Sequence, residues 1–312
     1  MEVTFVNSIY LWFLVSIPFL ILTHFFTLKY VKRRAMRFAN FEAISRVTGG
    51  QALSRNISLL FIRMFTLLFL ILSAAGTILW YKGQSSDYNY VLAIDASGSM
   101  LANDIEPDRL EAAKDAAVLF VDNLKSRAKI GVVSFSGVGS VEQKLIEDYA
   151  VTKEAIRNIQ IKTIHGTAIG DALVSSSNLL VTEEKAKLII LLTDGRENIA
   201  SEEEINKVID YLKENHITVN TIGVGTSEGG MLPGIEMIST LDEPMLMNIA
   251  ESTGGKYYRA EKKDELENIY KAIATSTEAN LPVNLSIPFM LAALALLFLE
   301  WGLINTKYRT IP

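Results

Sequence analysis

The sequence predicts an α/β fold, a doubly wound, mostly parallel, Rossmann-like sheet, tied to a membrane by three transmembrane helices. Through the middle of the chain, short apolar runs rich in β-branched residues alternate with helical patterns. That alternation is the mark of parallel strands joined by helical crossovers. Three further apolar runs are long enough to cross a bilayer, which takes roughly 20 residues as a helix. Hydrophobic residues make up 49% of the 312 residues and the mean hydropathy is +0.25, both high for a purely soluble protein.

The apolar runs lie at about Ser8 to Leu28, Ile57 to Trp80 and Leu285 to Ile304. The leader Met1 to Asn7 carries Glu2 and no Lys or Arg, and no small-x-small cleavage site follows. The first run therefore reads as an anchor rather than a cleaved signal peptide. Between the first two runs stand Lys29, Lys32, Arg33, Arg34, Arg37, Arg46 and Arg55 against the single Glu42, so that loop is expected in the cytoplasm. Lys307 and Arg309 follow the third run and agree. Trp12, Trp80, Tyr81 and Trp301 are expected at the membrane interfaces. The organisation predicted is a membrane region over 1–81, an extracytoplasmic domain over 82–284, and a last span with a short cytoplasmic tail over 285–312. The location expected is the cell (inner or plasma) membrane, crossed several times, with the middle domain periplasmic or extracellular.

Two charges fall inside the spans. Arg63 lies six residues into the second run and Glu300 four residues before the end of the third. At 1.5 Å per residue they sit about 9 Å and about 6 Å from the same, cytoplasmic, side. They either pair with one another or snorkel separately to the headgroups.

Within the middle segment, Tyr90–Ile94 reads as a strand and Pro107–Leu124 as a helix with Pro in its first turn. Ile130–Phe135 and Val141–Ile146 read as strands, 153–159 as a short helix and 168–181 as a longer one. Leu188–Leu192 is wholly apolar, as a strand buried on both faces is. Helix 202–215, strand 219–224, a helix over 244–252 stopped by Gly254-Gly255, strand 256–259 and helix 264–275 complete the pattern. The segment holds 20 Lys and Arg against 32 Asp and Glu, a net charge of −12, which disfavours nucleic acid as a partner. The absence of cysteine excludes thiolate chemistry, and the three histidines, at 24, 165 and 216, have no metal-binding spacing.

Right-handed crossovers put every strand-to-helix loop at one edge of such a sheet, where ligands bind. The strand ending at Ile94 runs into Asp95-Ala96-Ser97-Gly98-Ser99, and the strand ending at Leu192 runs into Thr193-Asp194-Gly195. Gly166-Thr167 stands just before a helix. Two carboxylates and three hydroxyls are thus expected at one edge, all hard oxygen donors of the kind Mg²⁺ prefers. Ser97, Ser99 and Thr167 are candidates for direct ligands, with Asp95 and Asp194 holding bound waters and hydroxyls. Neutral inner ligands leave the ion electrophilic, so a carboxylate from outside makes a good sixth ligand. His165 either touches a ligand or packs its loop. Gly223-Val224-Gly225 lacks the third glycine of a dinucleotide fingerprint, and neither a P-loop nor a GxSxG elbow is present.

Asp95-x-Ser97-x-Ser99, Thr167 and Asp194 resemble the five positions of the metal-ion-dependent adhesion site of von Willebrand factor A (VWA) domains. With the two N-terminal spans, Pro107-x-Arg109-Leu110-x-Ala112-Ala113-Lys114, Gly166–Leu173 and the Gly-rich stretch 225–242, the chain is similar to the bacterial aerotolerance (BatA/BatB-like) proteins. That resemblance implies a VWA fold, no catalysis, and a site holding Mg²⁺, with Mn²⁺ or Ca²⁺ as substitutes. It implies a protein partner that offers a carboxylate, possible association with other VWA membrane proteins, and a link to a MoxR-type AAA+ ATPase in envelope stress or complex assembly. The alternative from another class is a Mg²⁺-dependent phosphohydrolase on the same sheet.

Overall fold

The structure, a computed structural model, describes residues 2–35, 57–85, 88–124, 128–162, 166–183, 185–194, 197, 199–226, 230–232, 235–239, 242–275 and 277–306. His165 and the tail residues Lys307 and Arg309 lie outside them. Two compact units form, Met1–Trp80 with Val283–Pro312, and Tyr81–Pro282. In chain order the elements are β1 (Glu2–Phe5), a 3₁₀ segment (Ser8–Val15), α1 (Ser16–Ala35), α2 (Ile57–Ala74), β2 (Thr77–Ser85) and β3 (Tyr88–Asp95). A 3₁₀ turn (Gly98–Leu101), α3 (Arg109–Asn123), β4 (Ile130–Phe135), β5 (Gly139–Ile146), α4 (Tyr149–Arg157), α5 (Ile169–Leu180) and β6 (Ala186–Thr193) follow. The chain continues through α6 (Glu202–Glu214), β7 (Ile217–Val224), β8 (Gly230–Leu232), β9 (Ile235–Ser239) and α7 (Glu243–Thr253). It closes with β10 (Tyr257–Ala260), α8 (Lys263–Thr275), β11 (Thr277–Asn284) and α9 (Ser286–Asn305).

In the first unit three helical stretches are long and apolar enough to cross a membrane, Ser8–Thr27, Ile57–Ala74 and Ser286–Asn305. The first span agrees with the sequence reading, and the helix that carries it continues to Ala35, so Lys29, Lys32, Arg33 and Arg34 extend a helix rather than open a loop. The second does not reach Trp80. It ends at Ala74, and Gly76, at φ +68°, turns the chain into β2. A Cβ at Gly76 would sit 2.9 Å from Val6 Cβ, so glycine also permits the close approach of the N-terminus. Trp80 is a buried strand residue, opposite Glu2 in the antiparallel β1–β2 pair, and its indole donates to Thr4 Oγ1 at 2.8 Å. The sheet order is β1-β2-β11.

Helices α2 and α9 run antiparallel. Ser73 Oγ donates to the Ser286 carbonyl at 2.8 Å, Phe69 stacks on Phe289 at 5.6 Å, and Arg63 Nε donates to Glu300 Oε1 at 2.6 Å. Of the two sequence readings for these charges, the structure has the pair.

The second unit is a three-layer α/β domain. Its six-stranded sheet has the order β10-β7-β6-β3-β4-β5, parallel throughout except for β5, which runs antiparallel to β4 at one edge. Alternation along β3 explains the layering. Tyr90, Leu92 and Ile94 face one core, where Tyr90 meets Phe120 of α3 edge-on at 5.1 Å and Phe120 meets Tyr270 of α8. Val91 and Ala93 face the other core, filled by Ile169 and Leu173 of α5, Ile205 and Ile209 of α6, and Leu246 and Ile249 of α7. All eight residues of β3 and all eight of β6 are buried, as the unbroken apolar runs require. The strand order reverses around β3: α3 leads to β4 on one side, while α5 leads to β6 on the other. The crevice above the C-terminal ends of β3 and β6 is therefore a topological switch point.

Candidate metal centre

The site grows out of the parallel β3–β6 pair. Ile94 lies opposite Leu192, so Asp95 and Thr193 leave the sheet side by side. Thr193 Oγ1 donates to Asp95 Oδ2 at 2.5 Å, and the other carboxylate oxygen, Oδ1, accepts from the Ser97 backbone N–H at 2.8 Å. That second contact folds the chain back sharply after β3 and starts the 3₁₀ turn. Ser97 Oγ then stands 2.9 Å from Ser99 Oγ, and Ser99 Oγ donates to Asp194 Oδ1 at 2.7 Å. Asp95, Ser97, Ser99 and Asp194 thus form one hydrogen-bonded cluster. Asp95, Ser97 and Asp194 are buried, while Ser99 is half-buried and Gly98 exposed, so the cluster opens outward at the 3₁₀ turn. A Cβ at Gly98 would meet nothing within 4 Å.

Thr167 reaches the same edge by another route. Gly166, at φ +109°, turns the chain, and the Ala168 N–H donates to the Ser136 carbonyl at 2.6 Å. Ser136 follows Phe135, the register partner of Asp95. This fastens the buried Thr167 beside the end of β4.

Four residues that carry no site role in the sequence reading, Arg109, Asp104, Glu197 and Ser136, complete the setting. Arg109, in the first turn of α3, is 1% exposed. Its Nη1 donates to Asp194 Oδ2, while Nε and Nη2 both donate to Asp104, each at 2.7 Å. Asp104 Oδ2 also accepts from the Thr226 N–H at 3.0 Å and from its hydroxyl at 3.1 Å. In the sequence Arg109 is a charge at a helix start, a position that ordinarily faces water, and only its small neighbours Ala112, Ala113 and Ala116 hint that the helix is packed so closely. Glu197 caps the far side: Oε2 accepts from Gly170 N–H at 3.0 Å, and Oε1 from Ile199 and Ala200 N–H at 2.8 and 2.9 Å. The loop after Asp194 is thereby tied to the helix after Thr167. Ser136 Oγ is buried and has no hydrogen-bond partner among the described residues.

Burial, and then the nearby Asp194 carboxylate, push Asp95 up to about 7. Burial opposes the ionisation of Asp104, but the bonds from Arg109 and Thr226 outweigh it and hold that carboxyl below its usual range. Arg109 is held charged, against its burial, by Asp104 and Asp194. Asp95 is therefore only partly ionised near neutral pH, and a cation bound beside it would displace the proton. Among the described residues no group of three or more His, Cys, Asp or Glu side chains converges, so hydroxyls have to supply part of any inner ligand set. Carboxylates and hydroxyls are donors for a hard divalent ion, and the buried Asp95, whose proton a cation would replace, and the partnerless Ser136 hydroxyl fit a centre of that kind.

The chain is similar to known proteins. A family model described as von Willebrand factor type A domain matches residues 89–272, and one described as aerotolerance regulator N-terminal matches residues 1–76. A UPF0353 protein of Nocardia farcinica is 28% identical over 290 residues, covering 86% of this chain and 87% of that one. Among solved structures, the conserved hypothetical protein BatB from Bacteroides thetaiotaomicron is 28% identical with a TM-score of 0.54, covering 60% of this chain and 97% of that one. Proximal thread matrix protein 1 from the mussel byssus, solved with a zinc-occupied MIDAS motif, is 23% identical with a TM-score of 0.52, covering 72% of this chain and 54% of that one.

Proposed function

Since the chain belongs to the von Willebrand factor type A domain family, as a membrane protein of the BatA/BatB-like kind, we propose that it is a binding module whose metal-ion-dependent adhesion site captures a carboxylate from a protein partner. The observation that carries this reading is the cluster of Asp95, Ser97, Ser99 and Asp194 at the switch point. Ser97, Ser99 and Thr167 would hold Mg²⁺, with Asp95 and Asp194 behind them. Mn²⁺ or Ca²⁺ would also fit the oxygen donors, and the zinc in the mussel protein's motif is reason to titrate zinc beside them. When bound, the ion supplies an electrophilic seat for an anionic oxygen. The chain's own residues do the rest: Arg109 fixes one oxygen of Asp194, Thr193 and the Ser97 N–H fix both oxygens of Asp95, and Gly98 leaves the mouth clear of side chains. The partners fitting this reading are proteins with an exposed Asp or Glu, other VWA membrane proteins among them. A MoxR-type ATPase on the cytoplasmic side and a role as scaffold or regulator in envelope stress or complex assembly belong to the same proposal.

Calorimetric titration of residues 81–282 with Mg²⁺ tests it. One divalent site is expected in the wild type and none in Asp95→Ala. Equal titrations of the two proteins would remove the assignment. Turnover of p-nitrophenyl phosphate, absent from a binding module, would move the reading to the phosphohydrolase.

The pH dependence follows from Asp95, whose carboxyl lies at about 7 against 3.8 for a free side chain. Its folded value is raised, so in the metal-free domain its contribution to stability is present at low pH and is lost as the pH rises between those values. A divalent ion competes with the same proton. The apparent Kd for Mg²⁺ is therefore expected to fall about tenfold between pH 6 and 8, as the deprotonated fraction rises. A Kd unchanged across that interval would show that Asp95 takes no part.

The orientation proposed places residues 82–284 outside the cytoplasm and the basic segment inside. Single cysteines introduced at Ser85 and Ser45 should differ on intact cells, the first labelled by an impermeant thiol reagent and the second protected. Strong labelling at position 45 would reverse the topology.

A further inference from the structure

A charge in the hydrocarbon of a bilayer has to find partners for all of its hydrogen-bonding groups. Glu300 satisfies only one edge of Arg63: Nε donates to Oε1 at 2.6 Å, and among the described residues Nη1 and Nη2 have no partner. The Arg63 side chain remains 45% exposed beside α2, whereas Glu300 is 14% exposed. The carboxylate is thus covered, and the end-on edge of the guanidinium is left open at the surface of the helix pair.

That edge carries two amino groups in a fixed plane, the geometry that takes two oxygens of one phosphate. Six residues separate Arg63 from the start of α2 at Ile57, about 9 Å along the helix. An arginine stem at that depth reaches the headgroup layer by snorkelling. The sequence before α2 holds seven Lys and Arg between positions 29 and 55 against one Glu, and a basic stretch next to a span in sequence gathers anionic lipid in the adjoining leaflet.

We propose that the open edge of Arg63, oriented by its bond to Glu300, seats the phosphate of an anionic phospholipid in the leaflet at the start of α2. The pair is then a three-part contact in which Glu300 sets the guanidinium plane and the lipid completes it. Its location is independent of the metal centre.

Full-length protein in a mild non-ionic detergent, titrated with phosphatidylglycerol and observed by native mass spectrometry, tests the proposal. The wild type should retain one lipid that Arg63→Met/Glu300→Met retains at least about tenfold less well. The double variant removes both charges and leaves no lone carboxylate. Should it fail to give a monodisperse protein, Arg63→Lys keeps the charge without the fork and should also lose about tenfold. Glu300→Gln should keep the lipid, because the fork survives. Equal retention of phosphatidylglycerol by the wild type and by whichever of the Arg63 variants is monodisperse would overturn the proposal. So would displacement of the lipid by 10 mM inorganic phosphate, which would assign the edge to a free anion. A wild-type dimer without lipid, lost in the double variant, would assign it to a neighbouring helix and equally overturn it.

Discussion

Arg109→Leu is expected to lower the melting temperature of residues 81–282 by about 6–20 °C. Arg109 is the counter-ion of both Asp104 and Asp194, and all three side chains are shielded from water. Removing one member of a buried ion network costs about 3–5 kcal/mol, chiefly because the remaining charges lose their solvation without compensation. In a domain of this size each kcal/mol is worth about 2–4 °C. Arg109→Lys should fall between, since an ammonium cannot hold Asp104 with two bonds and Asp194 with a third. The same substitutions should weaken Mg²⁺ binding, because Asp194 is released to turn away from Ser99. The stability effect is read by differential scanning calorimetry in the absence of metal. A shift under 2 °C for the leucine variant would mean that the network adds nothing.

Gly255→Ala should be the most damaging single methyl in the domain. A Cβ at that position would lie 2.0 Å from the Val219 carbonyl oxygen, 2.6 Å from its carbon and 2.9 Å from Asn220 Oδ1. Two of those atoms are backbone of β7, against which β10 pairs from Tyr257 onward, so relief requires strand and helix to move apart. The Lys256 N–H bond to Asn220 Oδ1, 2.9 Å, is strained by the same movement. Overpacking against backbone costs about 3 kcal/mol or more. Its neighbour makes the control. Gly254 has φ +79° at the C-terminus of α7, and alanine there pays only the left-handed penalty of about 1–2 kcal/mol. Urea unfolding of the two variants should give the lower midpoint for Gly255→Ala. The reverse order would refute the steric account.

These two glycines also show how far the sequence could be read. Gly254-Gly255 announces the end of a helix, and the helix ends there, but the pattern cannot say that one glycine supplies a dihedral angle and the other a gap between strands. The parallel core was legible because β3 and β6 are buried on both faces and so read as unbroken apolar runs between helical patterns. The edge elements were not. Ile78-Leu79-Trp80 continues the apolar run of α2, and only the turn at Gly76 separates helix from strand, a distinction that hydrophobicity does not carry. The short β1, β8 and β9, and β11 with Pro282 inside it, lack the length or alternation that marks a strand. The oxygen residues of the candidate centre could be named because each directly follows a strand or precedes a helix. Arg109, Asp104, Glu197 and Ser136 could not, since their roles depend on the three-dimensional meeting of loops distant in sequence.

The all-oxygen donor set has a meaning in redox terms. Asp95, Ser97, Ser99, Thr167 and Asp194 offer carboxylates and hydroxyls, which do not climb the oxidation ladder that takes a thiolate to sulfenic and sulfinic acid. The chain holds no cysteine, and the sulfur next to the serines, in Met100, is fully buried. With Mg²⁺ seated, neither ion nor ligand has a second oxidation state to visit. Peroxide and dioxygen would then leave these donor atoms unchanged, and on the proposed reading control of the centre would pass to ion supply, protons and the concentration of partner.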